Sequence, residues 1–134
     1  MTCLNVVIAS AVVGFVMGTA PSTALQAAEP ETVMVTLHVK PGLEAEAARV
    51  ILEHWETARR LDLVLDATHL TLRGTEDGTK TYFVEVFTWR DANIPDSAPP
   101  AIQAIWKDMN AVVEPRGGRP GLHFSEVSVV VPSH

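Results

Sequence analysis

Residues 82–109 read YFVEVFTWRDANIPDSAPPAIQAIWKDM, and this stretch decides the fold. Its first part alternates along the chain and is rich in β-branched and aromatic side chains, which is typical of a strand. After a loop that contains Pro95, the pair Pro99-Pro100 fits the first turn of a helix, where a missing N–H costs nothing. The apolar residues that follow recur at helical spacing and predict a helix to about Val113. A strand with a carboxylate among aromatics thus leads into an amphipathic helix.

The segments on either side supply the remaining elements. β-branched, alternating stretches predict strands, and apolar residues at helical spacing predict a further helix. Gly and Pro clusters separate them, and a Gly-bounded segment at 74–78 predicts a hairpin connection. The predicted strands span residues 33–40, 68–73, 81–90 and 122–131, and the first helix spans residues 43–60.

The resulting order, β-α-β-β-α-β, predicts a ferredoxin-like α+β fold with a four-stranded antiparallel sheet and both helices on one face. Residues 29–134 are expected to form this single domain. An apolar sheet face left without helices is unstable in water, which predicts a homodimer that packs sheet against sheet. A cavity is then expected between sheet and helices or between the two sheets. The free face is predicted to carry Met34, Thr36, His38, Phe83, Glu85, Phe87 and Trp89.

The N-terminal 28 residues contain no Asp, Glu, Lys or Arg. Residues 6–20 are apolar, and small residues near Ala24 and Ala28 suit cleavage, so residues 1–28 are predicted to be a signal peptide. The apolar core is shorter than the roughly 20 residues that span a bilayer. The expected product is an exported, periplasmic or secreted domain with no stable membrane span after processing. Because the segment before the apolar core lacks Lys and Arg, a retained anchor or an N-terminal extension stays open as an alternative.

Charge and cysteine content exclude several classes of function. The net charge of -6 argues against a nucleic-acid partner, which would require clusters of Lys and Arg. The one cysteine, Cys3, lies in the predicted signal peptide. The processed chain would therefore have no disulfide, no thiolate nucleophile and no cysteine-ligated metal.

From residue 32 to residue 131 the chain resembles the antibiotic biosynthesis monooxygenase-like family of the dimeric α/β-barrel superfamily. The matching segments are VTLHVKPGLEAEAARVI, YFVEVFTWRD, PPAIQAIWKDM and LHFSEV. The resemblance implies the ferredoxin-like fold and a homodimer. Its members include cofactor-free quinone-forming oxygenases, haem-degrading enzymes, isomerases and proteins of no known activity, so the family implies no single reaction.

Two residue patterns of that family can be compared with this chain. Haem-degrading members carry an Asn in the first strand, a Trp at the end of the third strand and a His in the second helix. Trp89 matches the Trp, but the first strand offers only Thr36 and His38, and the second helix has no His. Many members also carry an Ala-His pair ahead of a Pro at that helix, where this chain reads SAPP at residues 97–100. Haem degradation is therefore not expected, and no cofactor is predicted.

Glu85 is the leading catalytic candidate. An ionised carboxylate between Val84 and Val86 is costly unless it is paired or hydrogen-bonded. It could remove a phenolic or enolic proton, or it could be a structural partner of an arginine (Arg73 or Arg90) or of a backbone amide. His38, on the adjacent strand, is the second catalytic candidate, because it could share a proton with Glu85. The alternative for His38 is a histidine satisfied at the dimer interface.

The predicted substrate-binding residues are mostly aromatic. Trp89 and Trp106 could sandwich a flat molecule beside Phe87, or all three could be core. Tyr82 could hydrogen-bond a bound phenol, and Thr36 shares the side of its strand with His38. His54 and Trp55 are predicted to pack the first helix on the sheet, and His69 and His123 are weaker candidates because their facing is ambiguous. A metal site from His38, His123 and Glu85 lacks a recognisable ligand spacing, so no metal is predicted.

These patterns favour a cofactor-independent monooxygenase that acts on a small aromatic or polyketide-like compound. Two alternatives stay open from the sequence. One is a non-catalytic exported module that binds an apolar small molecule. The other is a structural dimer whose pocket is filled by its own side chains.

Overall fold

The structure, a computed structural model, describes residues 28–131, so the predicted signal peptide lies outside the described residues except for its last position. Six regular elements follow in the predicted order, and a short 3-10 helix, Ile94–Ser97, connects the third strand to the second helix. The elements are β1 (Glu31–His38), α1 (Glu44–Arg60), β2 (Leu70–Glu76), β3 (Lys80–Trp89), α2 (Pro100–Val112) and β4 (Leu122–Glu126).

The predicted ferredoxin-like fold is confirmed. The four strands form one antiparallel sheet in the order β2-β3-β1-β4, so each β-α-β half contributes one central and one edge strand. Both helices pack on the same face, where the buried stripe of α1, including Val50, and that of α2, including Ile102, close over the central strands. Among residues 28–131, no helix is long and apolar enough to cross a membrane.

The register between β1 and β3 determines which side chains face the helices. Val35 stands opposite Glu85, and Val33 stands opposite Phe87. Directly opposed residues point to the same side of a sheet. Glu85 therefore shares its face with the valines that the helices cover, and it is fully buried.

The predicted composition of the helix-free face is thus wrong for four residues. Phe83, Glu85, Phe87 and Trp89 lie on the helix side and are buried in the core. The alternation within each strand indicates two rows of side chains, but it does not say which row of one strand shares a face with which row of the next. That choice is made by the pairing register, and a shift of one residue exchanges the two faces.

The helix-free face carries the other rows of the sheet. It is formed by Met34, Thr36 and His38 of β1, by Tyr82, Val84 and Val86 of β3, by Leu70 and Leu72 of β2, and by His123 and Ser125 of β4. Leu70 and Leu72 are exposed to 49% and 50%. The face is therefore mixed in polarity, with its apolar surface concentrated on β2 and β3.

The ends of two strands differ most from the predicted ones. β2 continues through Gly74, where a turn is predicted, because Gly74 pairs with Tyr82 of β3. A glycine is needed there, since a Cβ would lie 2.2 Å from the Tyr82 ring. The turn is instead the three-residue connection 77–79, in which Asp77 and Gly78 have positive φ. The last strand ends at Glu126 rather than at residue 131.

Candidate functional site

A cavity of about 410 Å³ lies between the sheet and the two helices. Its walls are mainly apolar and aromatic, and they come from β1, β3, β4 and α2, with one residue each from α1 and from the 3-10 helix. This volume falls within the range of about 300–1,000 Å³ that small-molecule sites occupy. Four titratable side chains line the cavity: Glu85 and His54 are buried, whereas Glu31 and Glu126 are more exposed.

Glu85 projects from the middle of β3 and has no exposed surface. Among the described residues, neither of its carboxylate oxygens has a hydrogen-bond partner. Oε2 lies 3.6 Å from Nδ1 of His54, and Oε1 lies 3.5 Å from Nε2 of His69. A carboxylate removed from water and held between two imidazoles is thus available to exchange a proton.

Arg73 and Arg90, the arginines that the sequence offers as structural partners of Glu85, contact other groups. Arg90 donates to the Asp62 carboxylate at 2.7 Å, and the guanidinium of Arg73 lies 5.8 Å from the centre of the Phe83 ring. Neither arginine forms an ion pair with Glu85. The titratable side chains beside Glu85 are the two histidines, whose neutral rings have one nitrogen that donates and one that accepts, whereas a guanidinium can only donate.

His54 is held in one tautomer by Trp106. The indole Nε1–H of Trp106 donates to Nε2 of His54 over 3.2 Å. Because an indole nitrogen can only donate, Nε2 must carry the lone pair and Nδ1 the proton. Nδ1 is the nitrogen that faces Glu85. The imidazole therefore presents an N–H to the carboxylate and has its basic nitrogen occupied.

The aromatic side chains form a corner rather than the predicted sandwich. The ring centres of Trp89 and Trp106 are 6.3 Å apart with planes at 85°, and those of Phe87 and Trp89 are 4.9 Å apart at 81°. Rings at such angles pack edge against face and leave no parallel slot between them. A flat molecule in this cavity would lie along one indole and meet the edge of the other.

Of the seven predicted site residues, the structure brings four together at the cavity: Glu85, Phe87, Trp89 and Trp106. The other three, Thr36, His38 and Tyr82, lie on the helix-free face.

His38 does not share a proton with Glu85. Its Nδ1 lies 3.3 Å from the carbonyl oxygen of Pro120, and its Nε2 lies 3.6 Å from a carboxylate oxygen of Glu76. The expectation failed because Glu85 stands opposite Val35, and residues 35 and 38 of one strand point to opposite faces. For the same reason, the metal site considered from His38, His123 and Glu85 would need ligands from both faces of the sheet.

Sequence reasoning missed the roles of His54 and His69 beside the carboxylate. His54 was placed correctly in the buried stripe of α1, and a titratable residue inside an apolar stripe was the available signal. His69 precedes β2 and stacks on Trp55, with ring centres 3.6 Å apart and planes at 2°. No feature of the sequence around His69 shows that its Nε2 reaches Glu85. Among residues 28–131, no group of three His, Cys, Asp or Glu side chains is arranged to hold a metal ion.

No protein-family model matches the chain, and no curated protein matches it at a significant level. Solved structures share its fold. A proposed antibiotic biosynthesis monooxygenase from Bacteroides thetaiotaomicron is 16% identical with a TM-score of 0.55, over 79% of this chain and 94% of that one. A cofactor-independent oxygenase from Streptomyces nogalater is 15% identical with a TM-score of 0.54, over 78% and 97%. A dimeric ferredoxin-like protein of unknown function from Jannaschia sp. is 17% identical with a TM-score of 0.52, over 75% and 99%.

The resemblance to antibiotic biosynthesis monooxygenase-like proteins is thus confirmed at the level of the fold. At identities of 15–17%, these likenesses concern the course of the backbone and not the reaction.

Proposed function

We propose that this chain is a cofactor-independent monooxygenase for a small aromatic or polyketide-like compound. The observation that carries the proposal is Glu85, a fully buried carboxylate without a hydrogen-bond partner among the described residues, in the wall of an apolar cavity of about 410 Å³. A buried charge without a hydrogen-bond partner lowers the stability of the fold. Catalytic bases often lie in such surroundings, so the burial of Glu85 fits a role as a base. The fold shared with a cofactor-independent oxygenase supports the same reaction class.

The reaction needs only a substrate with an acidic C–H bond and dioxygen. Glu85 removes a proton from a methylene group that is activated by neighbouring aromatic rings, which leaves a carbanion. The electron pair of the carbanion reduces dioxygen as the new C–O bond forms, and the resulting peroxide takes up a proton. Loss of water then leaves a carbonyl group, so that CH₂ and O₂ become C=O and H₂O. The protein contributes orientation and exclusion of water.

The neighbours of Glu85 suit this role. The Nδ1–H of His54 faces Oε2 of the carboxylate, and the hydrogen bond from Trp106 keeps that tautomer in place. Trp106 also lines the cavity beside Trp89. The aromatic walls would stack against a flat substrate, and the same walls keep water from the carbanion.

The working form is proposed to be a homodimer in which the helix-free sheet faces of two copies pack together. The apolar part of that face, including the half-exposed Leu70 and Leu72, supports a partner there. A protein with the same fold is dimeric, which supports a homodimer. Export remains part of the proposal on the strength of the N-terminal sequence alone.

The experiment is oxygen uptake by the purified protein with anthrone, comparing wild type with Glu85→Gln. The amide keeps the shape of the side chain and removes its basicity, so we expect uptake to fall by at least about a hundredfold. Glu56→Gln, an exposed residue of α1, is the matched control and is expected to leave uptake unchanged. Binding of anthrone without uptake would favour the non-catalytic binding module. Absence of both binding and uptake would count against either function.

A further inference from the structure

We propose that His69 carries protons between Glu85 and the solvent while the cavity is occupied by substrate. This inference rests on the proposed function and adds a residue that the cavity itself does not contain. A base sealed behind its substrate needs a second route by which its proton can be exchanged. The geometry around Glu85 supplies such a route for the proton.

The two oxygens of the Glu85 carboxylate face different compartments. Oε2 faces His54, whose side chain is 3% exposed and lines the cavity. Oε1 faces His69, whose side chain is 24% exposed. His69 lines a separate groove of about 160 Å³ on the outside, together with Trp55 and Leu52. The contact between Glu85 and His69 therefore crosses the wall that separates the cavity from the outer groove.

His54 cannot take over this task. To accept a proton, its neutral imidazole would have to use Nε2, and the indole N–H of Trp106 already occupies that nitrogen. The Nδ1 of His54, which faces the carboxylate, already carries a hydrogen. Of the two imidazoles beside Glu85, only His69 therefore has a nitrogen that can receive the proton from the carboxylic acid.

His69 is positioned by stacking rather than by a strong hydrogen bond. Its ring lies parallel to that of Trp55 at 3.6 Å between centres, and the guanidinium of Arg59 lies 5.8 Å from the Trp55 ring centre. Nε2 also lies 3.5 Å from the hydroxyl oxygen of Thr71. A stack constrains the plane of the imidazole more than its position within that plane, so a small in-plane shift would bring Nε2, now 3.5 Å from Oε1, within hydrogen-bond distance.

Each proton transfer of the relay breaks one bond to hydrogen and forms another. The substrate C–H bond breaks and an O–H bond forms on Glu85, which becomes a neutral carboxylic acid. That O–H bond then breaks as an N–H bond forms on Nε2 of His69, giving an imidazolium and restoring the carboxylate. The imidazolium releases the proton on its other nitrogen to water in the outer groove. The reverse sequence delivers a solvent proton to the peroxide.

The experiment measures two rates in the same protein. Anaerobically in D₂O, uptake of deuterium into the methylene group of anthrone reports exchange of the Glu85 proton with solvent. In air, oxygen uptake reports proton abstraction. The test variant is His69→Phe, whose ring still stacks on Trp55 but has no nitrogen. The control is Glu56→Gln, an exposed residue of α1 that lies outside the cavity and off the helix-free face.

We expect His69→Phe to lower the ratio of deuterium exchange to oxygen uptake by about tenfold, because the abstracted proton returns to the carbanion or the peroxide without leaving Glu85. Glu56→Gln is expected to keep the wild-type ratio. A merely structural role of His69 would lower both rates together, and an unchanged ratio in His69→Phe would overturn the relay while the monooxygenase proposal stands. A wild-type protein that shows neither oxygen uptake nor exchange above the protein-free rate would overturn the proposed function and the relay with it.

Discussion

Trp106 of α2 donates its indole N–H to Nε2 of His54 in α1, over 3.2 Å, and thereby links the two helices directly above Glu85. Both side chains line the cavity. The bond determines which nitrogen of the imidazole carries the proton, so a contact between helices controls what the carboxylate on the sheet faces. The first prediction tests this link.

Trp106→Phe removes the donor and keeps an aromatic wall. We expect the free energy of unfolding to fall by about 1–2 kcal/mol from the lost hydrogen bond and the smaller ring. Nitrogen-15 NMR of the histidine side chains should show His54 leaving its single Nδ1–H tautomer. A His54 that keeps this tautomer in the variant would show that the Glu85 carboxylate, rather than the indole, selects it.

Glu85→Leu separates stability from activity. The side chain is fully buried and has no hydrogen-bond partner among the described residues, so replacing it with an apolar group of similar size should raise the free energy of unfolding by about 1–3 kcal/mol. Oxygen uptake with anthrone should be lost. Urea denaturation measures the first quantity. A loss of about 3–5 kcal/mol, as for a broken buried ion pair, would instead make Glu85 a structural residue.

Leu72→Asp tests the proposed dimer. Leu72 lies on the helix-free face and is 50% exposed, whereas Leu52 lies on α1 and is 56% exposed. A buried charge at the interface should convert the dimer to monomer, while Leu52→Asp, with nearly the same exposure, should leave it intact. Sedimentation velocity at micromolar concentration measures both. A wild-type protein that is already monomeric there would contradict the interface.

Gly74→Ala tests the approach of Tyr82 to β2. A Cβ at position 74 would lie 2.2 Å from the ring, so the tyrosine must swing away or the strands must separate. We expect a loss of about 1–3 kcal/mol in the free energy of unfolding. In the Tyr82→Ser background the same change should cost much less, because the ring is gone. Equal costs in the two backgrounds would place the strain in the backbone of β2 instead.

Most of the architecture could be predicted from the sequence because it rests on local signals. Alternation identifies β1 and β3, and the stripe that includes Val50 identifies α1. The element order then restricts the sheet to few topologies. The sequence predicts that β2 ends before Gly74, because a glycine is as typical of a turn as of a strand position covered by an aromatic ring. Only the pairing of β2 with β3, which sets Gly74 opposite Tyr82, distinguishes the two cases.

The candidate site could be predicted only in part. Glu85 was identifiable because a carboxylate in an apolar strand is costly wherever it points. The residues that contact Glu85 could not be predicted, because they depend on the pairing register. That register sets Val35, and not His38, opposite Glu85. His69 is brought to Glu85 by the pairing of β2 with β3 and by the stack on Trp55, and both contacts join residues that are distant in sequence.

The alternating rows of β3 give this chain two independently adjustable surfaces. Residues 83, 85, 87 and 89 face the helices, and residues 82, 84 and 86 face away from them. Substitutions in the first row can reshape the chamber for another compound without altering the outer surface. Substitutions in the second row can change the outer face of the sheet without entering the chamber. A lineage that carries this strand can therefore change the lining of the chamber and the outer face of the sheet separately, one position at a time.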